Sequence, residues 1–290
     1  MSVVDLVIIG HVGINDERSP HGETRGPGGA GYGGVRGASL LTPERIGLVS
    51  AVGTDYDPEP LRRLGVDTRG VGILNGPSAH FRIVQHADGQ RSFDADLGVA
   101  SRTALSCFPR EYESAGHVHI CTAPPAQQLE WLGFLRALPG RRTVSGDAFE
   151  HYAETDPGRS RAALLGCDLC FLNDEERRLL FPGETLPRTP VVTKHGGRGA
   201  SYSEAGRTWH AATEAVVPVD STHAGEILAG VFLALRLASV DRVTALRQAV
   251  RAATAKVTQF GVDGDRLLRV LSEIRSDVLD PRDRASAARC

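Results

Sequence analysis

The sequence predicts an α/β fold, a largely parallel sheet covered by helices on both faces. Short β-type apolar runs alternate with helical patterns along most of the chain, as repeated strand–helix–strand units require. At 290 residues, 41% hydrophobic and 23% charged, the chain can bury one large core. No internal repeat or low-complexity tract interrupts the alternation.

The apolar run Val3–Ile9 opens the series as a strand. It is too short to span a membrane and lacks a basic leader or a cleavage site. Further strands are expected at Ile46–Val52, His117–Thr122, Arg142–Ser145, Asp168–Leu172 and Pro190–Lys194. Helical patterns occupy Gly33–Leu41, Ala126–Leu138, Gly158–Leu165 and Asp174–Leu180, and later Ile227–Leu237, Arg242–Phe260 and Gly264–Ser276. Two stretches, about residues 16–27 and 70–97, break the pattern with short polar-flanked β segments such as His80 to His86, and Asp88-Gly89 signals a turn. The polar, Arg- and Asp-rich residues 277–290, with Pro281, are expected to be a disordered tail after a domain spanning 1–276.

A net charge of −2 and a pI of about 6.6 give no electrostatic footprint for nucleic acid or an anionic membrane. Five unevenly spaced cysteines fit a reducing cytoplasm better than a disulfide scaffold. Cys167 and Cys170 make a C-x-x-C without a second pair, so packed thiols are expected rather than a metal or redox site. His117 and His119 share a strand face, but no third ligand accompanies them.

Chemistry concentrates at Asp220-Ser221-Thr222-His223-Ala224-Gly225-Glu226, a small-residue turn running into an apolar helix. Such a turn leaves backbone N–H groups without intrahelical partners at the end of the helix that favours negative charge. That makes an anion site. Glu226, in the first helical turn beside a bound phosphate, can take the proton of an attacking hydroxyl. His223 stands in the turn itself, where its imidazole can pair with a phosphate or exchange a proton.

This segment resembles the D-T-x-G-A-G-D signature of the ribokinase-like (PfkB) carbohydrate kinases. Glu226 replaces the final Asp and His223 the first Gly. The resemblance runs from about residue 3 to 275 and implies a ribokinase-like three-layer sandwich with a central mostly parallel sheet. The 16–27 and 70–97 segments would form a small β-sheet lid that excludes water from the phosphoryl donor.

The resemblance also implies roles for individual residues. Glu226 would be the base, with the amides of His223, Ala224 and Gly225 as the anion hole. Gly10-His11 leading to Asn15-Asp16 is similar to the opening whose Asp binds sugar hydroxyls, with Asn15 in the Asp position and Asp16 one residue late. Gly28, Gly29 and Tyr32 lie in a segment like the N-terminal Gly-Gly signature, where backbone approaches substrate closely. Asn173-Asp174-Glu175-Glu176 resembles N-x-x-E, so Asn173 and Glu176, with Asp147, would organise Mg²⁺. The same residues also read as a helix N-cap with an acidic first turn.

Lys194, Gly196 and Gly199 belong to a segment like V-x-K-x-G-x-x-G-A beside the nucleotide, with Lys194 or Arg198 facing its phosphates. Asp220 and Thr222 would complete the nucleotide side, and Ala253–Gly261 would flank the adenine. The implied reaction is ATP- and Mg²⁺-dependent phosphorylation of a primary hydroxyl on a sugar, nucleoside or related metabolite. The partners would be substrate, nucleotide and a second copy joined through the lid. The replaced signature positions leave two alternatives open: a binding module that transfers nothing, or a different phosphate reaction such as hydrolysis using His223 and Glu226.

Overall fold

The computed structural model describes residues 3–20, 22–40, 43–86, 91–183 and 189–279. Numbered along the chain, the strands are β1 (Leu6–Ile9), β2 (Gly13–Ser19), β3 (Gly22–Gly28), β4 (Ile46–Gly53), β5 (Asp67–Leu74), β6 (Ala79–Gln85), β7 (Arg91–Asp96), β8 (His117–Ile120), β9 (Thr143–Asp147), β10 (Leu169–Asn173), β11 (Val191–Lys194), β12 (Ala200–Glu204) and β13 (Arg207–Ala211). The helices are α1 (Ala30–Ala38), α2 (Glu59–Leu64), α3 (Pro125–Ala137), α4 (Glu150–Thr155), α5 (Pro157–Leu165), α6 (Asp174–Leu180), α7 (Ala224–Leu237), α8 (Arg242–Val257) and α9 (Asp265–Ile274).

The large sheet has the order β13-β12-β11-β10-β9-β8-β1-β4-β5. From β11 to β5 every pairing is parallel, and β12 and β13 add an antiparallel hairpin at one edge. The first strand shows why its residues are uniformly apolar. Leu6 and Ile8 join the cluster built with α1, α7, α8 and α9, whereas Val7 and Ile9 join Trp131 and Leu164 on the opposite face. A parallel strand is buried on both sides, so alternation disappears. Burying each such side chain contributes roughly 1.5–3 kcal/mol.

The second sheet, ordered β3-β2-β6-β7, is the lid. Two expectations need correction here. Residues 70–74 belong to β5 and extend the large sheet beside β4, so the second lid segment begins only at Ala79. The first begins at Gly13. In β5 the pattern is too weakly apolar to advertise its place, because it is an edge strand with half-exposed residues. The turn expected at Asp88-Gly89 and the tail beyond 279 lie outside the described residues. Before that point, Arg275–Leu279 continues α9 as a π-helical turn.

β1 is flanked by β4 on one side and β8 on the other, so the direction in which successive strands are added to the sheet reverses around it. Ligands bind at the carboxyl ends of strands beside such a switch point. Both the lid and α1 leave from there. Opposite them, α7 packs on α1 so closely that a Cβ on Gly230 would lie 2.3 Å from the Gly34 carbonyl oxygen. Only glycine permits this approach, and it brings the start of α7 to the mouth of the sheet. Among the described residues no helix is long and apolar enough to cross a membrane.

Candidate active site

The anion turn is built as a helix start whose amides are left open. His223 is the N-cap of α7, with φ 64° and ψ 3°, and no side chain caps the helix. It adopts the left-handed conformation that glycine would take freely, at a strain of order 1–3 kcal/mol. Ala224 N–H donates weakly to the Ser221 carbonyl at 3.3 Å. Among the described residues, the N–H groups of Gly225 and Glu226 meet no protein acceptor. The Glu226 N–H thus adds an open donor beside the His223–Gly225 set expected from the sequence.

Two cavities meet at this turn and share Ser221 and Gly225. The smaller, about 180 Å³, is lined by Asn15, Gly29, Thr222, His223 and Glu226, with Phe81, Phe93 and Phe149 forming its wall. Phe93 stacks on Phe81 and meets Phe149 edge to face. Glu226 thus faces the cleft, and the His223 ring turns toward the lid, where its Nε2 lies 2.9 Å from Asn15 Nδ2. Three polar atoms of lining residues, His11 Nε2, Asn15 Oδ1 and Thr222 Oγ1, are buried without a hydrogen-bond partner. Each unsatisfied group costs about 1–3 kcal/mol until a ligand or water meets it.

Gly28 and Gly29 let backbone pass beneath these groups. A Cβ on Gly28 would fall 1.7 Å from Asn15 Oδ1, and Gly29 at φ 87° would place one 2.3 Å from the His11 carbonyl oxygen. Asp16 and Tyr32, in contrast, do not reach this cavity. Strand alternation sends Asp16 to the outer face of the lid, where it pairs with Arg25 and His80. The concave outer face, lined by Asp16, Arg18, Arg25 and Arg82, lies apart from the anion turn. Tyr32 points into the core and donates its hydroxyl proton to Asp263 at 3.0 Å.

The larger cavity, about 680 Å³, is lined by Lys194, Gly196, Gly197, Gly199 and the apolar Leu228, Val250, Ala253 and Val257. Phe260, expected near the adenine, instead faces Gly22 of the lid, 3.5 Å from the Cβ a residue there would carry. Arg198 is tied to Asp174 at the surface. Neither Asp220 nor Thr222 faces the larger cavity. Asp220 is wholly buried in an ion pair with Lys256, and Thr222 lines the smaller cavity.

Lys194 lies under the turn, its Nζ 2.7 Å from Asp147 Oδ1. Burial alone would lower the ammonium's affinity for its proton, but Asp147, Glu176 and Glu226 reverse this and hold it well above its usual range. Burial pushes the Asp147 carboxyl up to about 7 against the pull of Lys194, and Glu176 and Glu226 add to the rise. Burial likewise raises Glu176, while Lys194 and the Asn173 N–H oppose it.

The N-cap reading of Asn173 and Glu176 holds in full. Asn173 Oδ1 accepts from Glu176 N–H at 2.8 Å, and Glu176 Oε2 accepts from Asn173 N–H at 2.6 Å. Among the described residues, no three acidic, His or Cys side chains converge into a direct metal cage. The donor chemistry fits a hydrated hard cation instead, because Asp147, Glu176 and Glu226 all lie within electrostatic reach of Lys194 and offer hard oxygen donors.

Elsewhere, His117 Nε2 and His119 Nδ1 both bond Ser145 Oγ at 2.9 Å, so the pair is satisfied internally. The Cys167 and Cys170 thiols donate to carbonyls of α5. Sequence reasoning passed over Glu17, Lys256, His11 and the phenylalanine wall. Glu17 left a trace as a carboxylate two residues from Asn15 and so on the same strand face, and His11 one as part of the Gly10-His11 opening.

A parallel sheet with a lid, an open helix start at its switch point and a carboxylate lining the smaller of two adjoining cavities suit a small-molecule phosphotransferase. The chain matches the pfkB family carbohydrate kinase model over residues 2–267 and belongs to that family. It is 32% identical over 252 residues to the cytidine kinase of Thermococcus kodakarensis, covering 80% of this chain and 88% of that one. It is 28% identical to the ATP-dependent ribose-1-phosphate kinase of Halopiger xanaduensis over 78% of each chain. The Burkholderia thailandensis nucleoside kinase, solved in complex with inosine, superposes with a TM-score of 0.79 at 15% identity, covering 94% of this chain and 98% of that one. The protein is a PfkB-type kinase.

Proposed function

We propose that the chain transfers the γ-phosphoryl group of ATP to the primary hydroxyl of a nucleoside. The observation that carries the reading is the smaller cavity: Glu226 and the unpartnered His11, Asn15 and Thr222 atoms are among its polar groups, and three phenylalanines form its wall. Ribose hydroxyls suit the former, and a flat base suits the latter. Similarity to a cytidine kinase supports the choice.

In this mechanism Glu226 accepts the proton of the primary hydroxyl as its oxygen attacks phosphorus in line. The Gly225 and Glu226 amides, aided by Lys194, stabilise the charge spreading over the transferred phosphoryl oxygens. The larger cavity takes the donor, with its apolar wall along Val250, Ala253 and Val257 against the base. Mg²⁺, held through water by Asp147 and Glu176 with Asn173 orienting Glu176, would neutralise phosphate charge. The lid closes over both substrates and excludes water.

The test follows ADP release from Mg-ATP with cytidine, other nucleosides and free ribose. Turnover with a nucleoside, and a loss of about 10²–10⁴-fold in kcat for Glu226→Gln, are expected. No ADP from any acceptor, or an unaffected Glu226→Gln, refutes the proposal. The described cysteines form no disulfide among themselves, which supports a cytoplasmic setting. The four-stranded lid ends in β3 and β7, whose outer edges carry no further strand among the described residues. They support a homodimer formed through the lid, which light scattering of the purified protein would show and a monomeric mass would refute.

A further inference from the structure

We propose that Glu17 is a positioning residue that latches the lid to the anion turn through a proton shared with Asp220. Glu17 belongs to β2, in the lid, and is 3% exposed. Its Oε1 accepts from Asn15 Nδ2 at 2.7 Å, and the same amide nitrogen reaches His223 Nε2 at 2.9 Å. Its Oε2 is buried and receives no donor.

The group it faces is another carboxyl. Asp220 precedes α7, and its side chain is already crowded with donors. Oδ1 takes the Thr222 N–H and the Gln85 amide, both at 2.8 Å, and Oδ2 takes the Lys256 ammonium at 2.5 Å. Two carboxylates and one ammonium in a dry site cannot all be ionised cheaply, so one acid keeps its proton. Asp220 holds the donors, which leaves Glu17 as the protonated partner.

Burial first, and then Asp220, push the Glu17 carboxyl up to about 7, while Asn15 and Lys256 pull the other way. Burial would raise Asp220 too, but Lys256 and the bonds from Glu17 and Thr222 bring it below its usual value. The remaining neighbours are neutral in register: Thr24 on β3 and Ile83 on β6 pair with Glu17. Protonated Glu17 donates to Asp220 Oδ and accepts from Asn15, which in turn presents its second N–H to His223. The lid and the N-cap of α7 are then joined by one chain of hydrogen bonds. Loss of the proton sets two carboxylates against each other, and the latch opens.

The folded-state value is raised, so the latch is complete at low pH and is lost as pH rises through about 7. From pH 6 to pH 8 the protonated fraction falls from about 0.9 to about 0.1. If only the latched form binds acceptor productively, the apparent KM rises about tenfold over that interval.

The test compares the wild type with Glu17→Gln and Glu17→Ala. Glutamine reproduces the protonated acid, donating to Asp220 and accepting from Asn15, and it cannot titrate. We expect acceptor KM to rise about tenfold from pH 6 to 8 in the wild type and to stay flat in Glu17→Gln, with kcat following other groups. Amide exchange protection across Gly13–Ser19 should fall over the same interval in the wild type only, and be low throughout in Glu17→Ala. This second readout needs no turnover, so it separates failure of the latch from failure of the kinase reading. A Glu17→Gln protein that titrates like the wild type overturns the proposal, even if Glu17→Ala does not fold.

Discussion

Replacing Gly33 by alanine probes the geometry of the proposed base most directly. Gly33 lies in α1, and a Cβ there would stand 2.9 Å from Glu226 Cβ and 3.2 Å from His223 Nδ1. Carbon atoms rest at about 3.5–4.0 Å, so Glu226 must move by roughly 0.5–1 Å at the root of its side chain. It cannot escape by rotating its far end, because the clash is at Cβ. A displacement of about 1 Å costs on the order of 100-fold in rate, and we expect kcat to fall by about 10- to 100-fold.

Stability should change little, because alanine is favoured over glycine inside a helix by about 1 kcal/mol, which offsets part of the strain. Steady-state ADP release with a nucleoside acceptor, set beside thermal unfolding of the same preparation, separates the two effects. A Gly33→Ala enzyme within twofold of wild-type kcat would refute the claim that α1 packing sets the position of Glu226.

Lys256 is 0% exposed and donates to the Asp220 carboxylate and to its carbonyl at 3.0 Å. Lys256→Met leaves Asp220 as an uncompensated buried charge, and urea unfolding should report a loss of about 3–5 kcal/mol; adding Asp220→Asn should recover part of it. Burial, with His117 and Lys194 adding to it, lowers His119 to about 3. Its contribution to stability is therefore full above the unfolded value of 6.5 and is lost as pH falls toward 3. Between pH 7 and pH 5, urea midpoints should show the wild type losing about 2 kcal/mol more than His119→Asn; equal losses would place His119 in contact with solvent.

Local pattern made much of this molecule readable in one dimension. The apolar runs of β1, β4 and β8, the helices α3 and α5–α9 and the open turn before α7 each depend on residues within a few positions of one another, and hydrophobic period and turn chemistry act at that range. Parity along β2 was also present in the sequence, since a pleated strand must send Asp16 away from Asn15 and Glu17, but which face meets the site depends on the register with β6. Pairing across the chain had no such local mark. β5 joined the large sheet because β4 offered a free edge, and Tyr32 went to the core because Asp263, 231 residues away, met its hydroxyl. Glu17, Asp220 and Lys256 come from a lid strand, a turn and a helix. Their charges interact only once folding has removed the water between them, so their roles were decided by the tertiary structure alone.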